Sequence, residues 1–191
     1  NKKDKIIVDF GPTPEKRYSA DYQSGALSFE IFHEKEKLIT NCGYFQNYNH
    51  KLNILSKSTA AHSTLSIDDR SSCKFKKDKL GYFTLENTMK ISNKKVYHDD
   101  ETWEIRGTHD GYLKEYGILH ERNIKFFTKE FKYIGEDIII CKKNFRKVGF
   151  DIRFHLLPDT NAIKTQDKQS ILLQLKKSGW KFTCNHKNFG V

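Results

Sequence analysis

Arginine, proline, methionine and cysteine are all scarce in this 191-residue chain. It has three prolines, one methionine, four cysteines and, among 34 basic residues, only Arg17, Arg70, Arg106, Arg122, Arg146 and Arg153 as arginines. Base-edge readers favour the bidentate arginine fork, so this shortage disfavours sequence-specific nucleic-acid binding. Cys42, Cys73, Cys141 and Cys184 are scattered with no Cys-x-x-Cys pair, which argues against a zinc knuckle, and their spacing supports no disulfide assignment. Cys42 and Cys184 sit in strand-like runs and are expected to be small buried apolar side chains. No apolar run approaches the roughly 20 residues of a membrane span. The charged start, Asn1-Lys2-Lys3-Asp4-Lys5, leaves only Ile6-Ile7-Val8 before Asp9, too little for the apolar core of a secretory leader. The chain also lacks an initiating methionine, and we expect it to be an excised piece of a longer protein.

What is present describes a folded unit. Hydrophobic residues make up 37% and aromatics 13%, enough for a packed core. The net charge of +10 and pI near 9.3 suit a polyanion partner, although a lysine-rich surface also serves solubility alone. The dominant period is two. Phe150, Ile152, Phe154 and Leu156 alternate with polar residues, as do Trp180, Phe182 and Cys184, and Leu27, Phe29 and Ile31. Further strand-like runs cover Ile6 to Phe10, Lys37 to Thr40, Trp103 to Thr108, Ile118 to Phe127, Lys132 to Cys141 and Ser170 to Leu175. Turn signals fall at Gly11-Pro12-Thr13-Pro14, Ser92-Asn93-Lys94, Gly135-Glu136-Asp137 and Pro158-Asp159-Thr160-Asn161. No stretch of a dozen residues carries a 3.6 period; at best Leu52 to Lys57 forms a short helical turn. The pattern predicts an all-β antiparallel sandwich over residues 1–191, with no linker that would divide it.

The segment from Ser58 to Asp68 holds the most pointed chemistry. His62 lies among small residues, and Thr64, Ser66 and Asp68 then face one way while Leu65 and Ile67 face the other. Small neighbours let an imidazole reach a ligand, a metal or a sugar; the alternative is a hydrogen-bonded buried histidine. Two segments precede it: Gly25-Ala26-Leu27-Ser28-Phe29-Glu30-Ile31 and Leu38-Ile39-Thr40-Asn41-Cys42-Gly43-Tyr44. With Thr108-His109-Asp110-Gly111-Tyr112, His120-Glu121-Arg122 and Phe154-His155-Leu156-Leu157-Pro158, the series resembles the C-terminal β-domain of the heparinase II/III-like polysaccharide lyases, over about four-fifths of the chain.

That resemblance implies a supersandwich-type β-domain, an acidic, uronate-containing polysaccharide as substrate, and a bacterial periplasmic or cell-envelope setting. It also implies an N-terminal helical domain of the same chain that completes the site. Lyases of this kind cleave by β-elimination, which needs the uronate carboxylate neutralised and a base to take the neighbouring proton. By resemblance through Ser28-Phe29-Glu30, the family's catalytic histidine falls on Asp21. Its metal ligands fall on Gln23, Asn41 and His62, of which only His62 is retained. Two amides and one imidazole make a poor zinc site, so no metal and no cofactor is expected.

His109, with an acid beside it and a glycine beyond, is a second catalytic candidate, whereas His120 reads as a hydrogen-bonded interior residue. His98 belongs to an acidic surface loop and His155 to a wet strand face. Tyr44 and Tyr48, in the polar stretch Gly43 to Lys51, are candidates for stacking on sugar rings, and Arg70 is a candidate for the substrate charge. Core packing is the expectation for Trp103. Two rival functions remain: a non-catalytic acidic-glycan-binding or scaffold module that has lost lyase chemistry, and a basic β-domain that binds RNA or DNA without sequence preference.

Overall fold

The computed structural model describes residues 4–142 and 147–185; Arg146 lies outside them. Among these residues strands account for 44% and helices for 10%, and every strand pair is antiparallel. β1 (Asp4–Val8), β2 (Phe29–His33) and β3 (Glu36–Ile39) form the first sheet. A polar stretch then leads into α1 (Lys51–Lys57), the helical turn read at Leu52 to Lys57. β4 (Leu65–Ile67) follows, then the hairpin of β5 (Phe75–Lys77) and β6 (Phe83–Leu85). β7 (Ile91–His98), β8 (Thr102–His109), β9 (Ile118–Phe127) and β10 (Lys132–Cys141) make a four-stranded sheet, with the four-residue α2 (Leu113–Tyr116) between β8 and β9. β11 (Phe150–Ile152) pairs with β4, and β12 (Asn161–Lys164), β13 (Ser170–Gln174) and β14 (Gly179–Thr183) complete the fold.

The alternating residues explain how the layers close. Phe29 and Ile31 of β2, Leu38 and Ile39 of β3, Ile124 of β9, and Ile171 and Leu173 of β13 meet in one buried cluster. Three sheets therefore turn their apolar faces towards a shared core, each such side chain stabilising by roughly 1.5–3 kcal/mol. A second cluster joins Leu65 and Ile67 to Tyr112 and Ile118.

Several local readings give way to the fold. Ser92-Asn93-Lys94 is no turn but lies within β7, where the register shifts between Ser92 and Lys95 and Asn93 takes φ 52°. An asparagine tolerates that left-handed conformation, so the turn signal marks a bulge. Gly135-Glu136-Asp137 runs straight through β10, paired residue for residue with β9. The two faces read for Thr64 to Ile67 are both buried, because β4 is covered on both sides. β11 stops at Ile152, and His155 makes only an isolated bridge to Thr40. Cys42 and Cys184 are exposed, and Cys73 is the buried one.

Candidate functional site

Asn41-Cys42-Gly43-Tyr44 leaves β3 as an irregular strip that crosses the Thr59–Ala61 turn. Gly43 takes φ +78°, a left-handed conformation that costs glycine nothing and turns Tyr44 back towards Asp21. Carbonyls of that turn and of the residue before it hold the strip and its histidines. Ala61 O accepts from Cys42 N at 2.9 Å, Ser58 O lies 2.8 Å from His62 Nδ1, and Ala60 O lies 2.9 Å from His155 Nε2. This is why the small residues around His62 matter. They bring backbone, not side chains, to the imidazoles.

His62 is 4% exposed and meets Gln23, whose Oε1 lies 3.0 Å from Nε2. A carbonyl only accepts, so Nδ1 must donate to Ser58. Burial lowers the His62 pKa, and the ring is neutral at pH 7. Its Nε2 is then an acceptor, best met by the Gln23 NH2 after a rotation of the amide. A Cβ on Gly25 would lie 2.7 Å from His62 Cδ2, so the close seat of the ring requires glycine there. Asn41 Oδ1 accepts from Ser63 N at 2.7 Å. Gln23 and Asn41 thus converge on the His62–Ser63 pair, but the Gln23 NH2 and the Asn41 oxygen are engaged in neutral hydrogen bonds. This donor set does not fit a zinc ion. Among the described residues, no group of three or more His, Cys, Asp or Glu side chains is arranged to hold a metal.

Asp21 anchors the neighbouring cluster. Tyr48 donates to its Oδ1 at 2.6 Å and Tyr44 to the same atom at 2.9 Å. These two bonds, Tyr48 first, hold the Asp21 carboxyl below its ordinary pKa, so it is an anion. The same bond pushes Tyr48 up to about 12, and burial raises Tyr44. Neither phenol is poised to act as a base. Asn53 donates to the Tyr44 hydroxyl at 3.1 Å, and the Tyr48 ring meets Tyr82 edge-on with centroids 4.7 Å apart. Tyr82 immediately precedes β6, whose partner β5 carries the exposed Lys76 and Lys77.

Two parts of this arrangement were not legible as such in the chain. Lys57, fully buried, donates to Ala20 O and Tyr22 O and lies 5.0 Å from the Tyr44 ring centroid. Burial pushes its pKa down to about 8, with Asp21 pulling the other way. The second is a buried relay across β8, β9 and β10. Gly111 N–H donates to His109 Nδ1, His109 Nε2 lies 3.0 Å from His120 Nδ1, and His120 Nε2 lies 2.6 Å from Asp137 Oδ1. That order fixes both tautomers. Arg122 grips Asp137 through Nε at 2.7 Å and Nη2 at 3.0 Å, while its Nη1 donates to Leu27 O and Ser63 O. Burial pushes Asp137 upwards, but the Arg122 charge and these bonds outweigh it and hold the carboxyl well below its usual range. His109, 1% exposed, therefore sits inside this relay and away from the Asp21 cluster. His120 is a hydrogen-bonded interior residue. Arg70 is exposed at a bridge to Ile67, and its carbonyl accepts from Tyr112. Trp103 is half-buried against Phe126. His98 is exposed.

The sequence profile described as Heparinase II/III-like, C-terminal matches residues 1–190. This chain belongs to the heparinase II/III-like C-terminal family. It is 29% identical over 190 residues to FtsZ-localized protein C of Caulobacter vibrioides (strain NA1000 / CB15N), covering 92% of this chain and 32% of that protein. Crystal structures of heparan sulfate lyase HepC from Pedobacter heparinus and of its mutant superimpose with a TM-score of 0.65. The match covers 90% of this chain and 24% of the HepC chain at 19% identity, a likeness of fold. The heparinase II/III-like domain thus spans about a third of the curated relative and about a quarter of the lyase.

Proposed function

We propose that this domain forms the β-half of an acidic-polysaccharide site and does not complete β-elimination by itself. The carrying observation is the Asp21–Tyr44–Tyr48 cluster. It is a polar and aromatic surface beside the lysines of the β5–β6 hairpin, in a domain whose family acts on polysaccharides. Half-buried tyrosines offer ring faces to sugar C–H groups, and the lysines offer charge to uronates. The chemistry of elimination is not supplied here. Asp21 is an anion where a uronate must be neutralised, and both phenols donate towards it, so the proton-abstracting base must come from elsewhere in a longer chain.

A second reading, a non-catalytic scaffold, draws support from the relative named for localisation to FtsZ rather than for cleavage. The test is binding of heparan sulfate, alginate and hyaluronan to this domain at low salt, with Tyr48→Ala in parallel. Absorbance of the unsaturated uronate product is followed for the domain and for its full-length chain. We expect binding weakened by Tyr48→Ala and no product from the domain alone. Product from the domain alone, or no binding to any acidic glycan, would refute the proposal; product from neither protein would favour the scaffold.

A further inference from the structure

Cys42 and His155 are separated by 113 positions in the chain, and neither carries a role in the glycan site proposed above. Cys42 Sγ lies 3.4 Å from His155 Nδ1, within the reach of an S–H···N hydrogen bond. The other ring nitrogen, Nε2, is 2.9 Å from the Ala60 carbonyl, which can only accept, so Nε2 carries the proton and Nδ1 presents its lone pair to the thiol. The ring is held from the backbone as well, since His155 N donates to Ser63 Oγ at 2.8 Å and its carbonyl accepts from Thr40 N at 2.9 Å. Cys42 is exposed, so an outside reagent can reach the sulfur. A nucleophile, a base within hydrogen-bond reach and a third group that orients the base are the three parts of an activated nucleophile.

We propose that Cys42 and His155 form a thiol-modification site that reacts with small disulfides. The Cys42 proton passes to His155 Nδ1 as the sulfur attacks one sulfur of the reagent. A bond forms between Cys42 Sγ and that sulfur, the reagent's own S–S bond breaks, and the departing thiolate recovers the proton from the imidazolium. The cysteine is oxidised to a mixed disulfide while half of the reagent is reduced to a thiol, and no further electron carrier is needed. The reactivity of the thiol depends on the base held beside it. The adduct would sit one residue from Asn41 and two from Tyr44, at the edge of the glycan-facing strip.

The experiment measures release of the coloured thiol from an aromatic disulfide reagent, with mass mapping of the labelled cysteine. Wild type, Cys42→Ser and His155→Gln are compared. In the wild type, Cys42 should label faster than the exposed Cys141, and Cys42→Ser should remove the fast phase. In His155→Gln the Cys42 rate should drop by about a hundredfold, the low side of what a positioned base contributes. Labelling of Cys73, which is 2% exposed, reports unfolding of any variant. The wild-type comparison of Cys42 with Cys141 needs no mutation, so a misfolded variant does not spare the idea. Equal rates at these two cysteines, or a Cys42 rate untouched in a folded His155→Gln, would overturn it.

Discussion

Two side chains at the candidate site carry charges in unusual company. Two phenols donate to one oxygen of Asp21 and hold its carboxyl below its ordinary pKa, and in return it holds the Tyr48 proton up to about 12. Asp21→Asn removes the anion, and the Tyr48 titration should move down towards the ordinary tyrosine value near 10. Ultraviolet titration of the phenols measures it; an unmoved titration would mean that the Asp21–Tyr48 bond does not form. Lys57 is the converse case, a buried ammonium on two carbonyls. Its folded pKa of about 8 lies below the ordinary 10.5, so between these values the unfolded chain binds more protons. The cost of burying the charge is complete below pH 8 and is relieved as the pH rises towards 10.5. Wild type should therefore gain stability relative to Lys57→Met over that window, by about 1–3 kcal/mol. Urea unfolding at pH 7.5 and pH 10 is the comparison, and a constant difference would contradict it.

At the scale of elements, the His109–His120–Asp137–Arg122 relay ties three strands of one sheet together. Through Arg122 it also reaches the carbonyls of Leu27 and Ser63 that underlie the site. Arg122 is 3% exposed, so Asp137→Ala would leave an uncompensated buried charge. The expected loss is about 3–5 kcal/mol, read from denaturant midpoints; a loss below 1 kcal/mol would show that Arg122 finds water or another partner. Burial depresses both histidines, His109 well below 6.5. Below that ordinary value the unfolded chain binds more protons, so stability from the relay is full above it and declines as the pH falls through it. Asp137, depressed as well, adds a second loss as the pH falls below about 3.8. The Asp137→Ala variant should lack that second loss.

At the scale of the whole molecule, the excess of 10 positive charges is carried mostly by flexible lysines at the surface. Attraction to an acidic polysaccharide through such groups is screened over about 8 Å at physiological ionic strength. Binding of heparan sulfate should therefore weaken several-fold as salt rises from low values through that range, and the loss should level off where tyrosine contacts remain. A plateau that vanishes in Tyr48→Ala would assign the residue-specific part to this cluster. Loss to zero in both proteins would leave only non-specific charge and argue for the nucleic-acid-type rival, which calorimetry with RNA at the same salt would expose.

The boundaries of β9 and β10 were legible in the chain because they are long runs of β-favouring residues closed by clear breaks. The all-β fold followed from period-two patterning that any antiparallel sheet with one buried face imposes. The ordered motifs gave the family, since the spacing of short signatures survives when overall identity falls. Local signals failed where long-range partners outweighed them. Gly135-Glu136-Asp137 reads as a turn until Arg122 and His120, on the paired strand, claim Asp137 and keep the backbone extended. Cys42 reads as a buried apolar residue until the left-handed Gly43 swings the strip outwards, and His155 reads as plain surface until the Ala60 carbonyl fixes its tautomer. Periodicity reports which side of an element meets the core. It carries no information about which residue of a distant element stands opposite, and that pairing alone decided whether each titratable group became a support, an anion or a nucleophile.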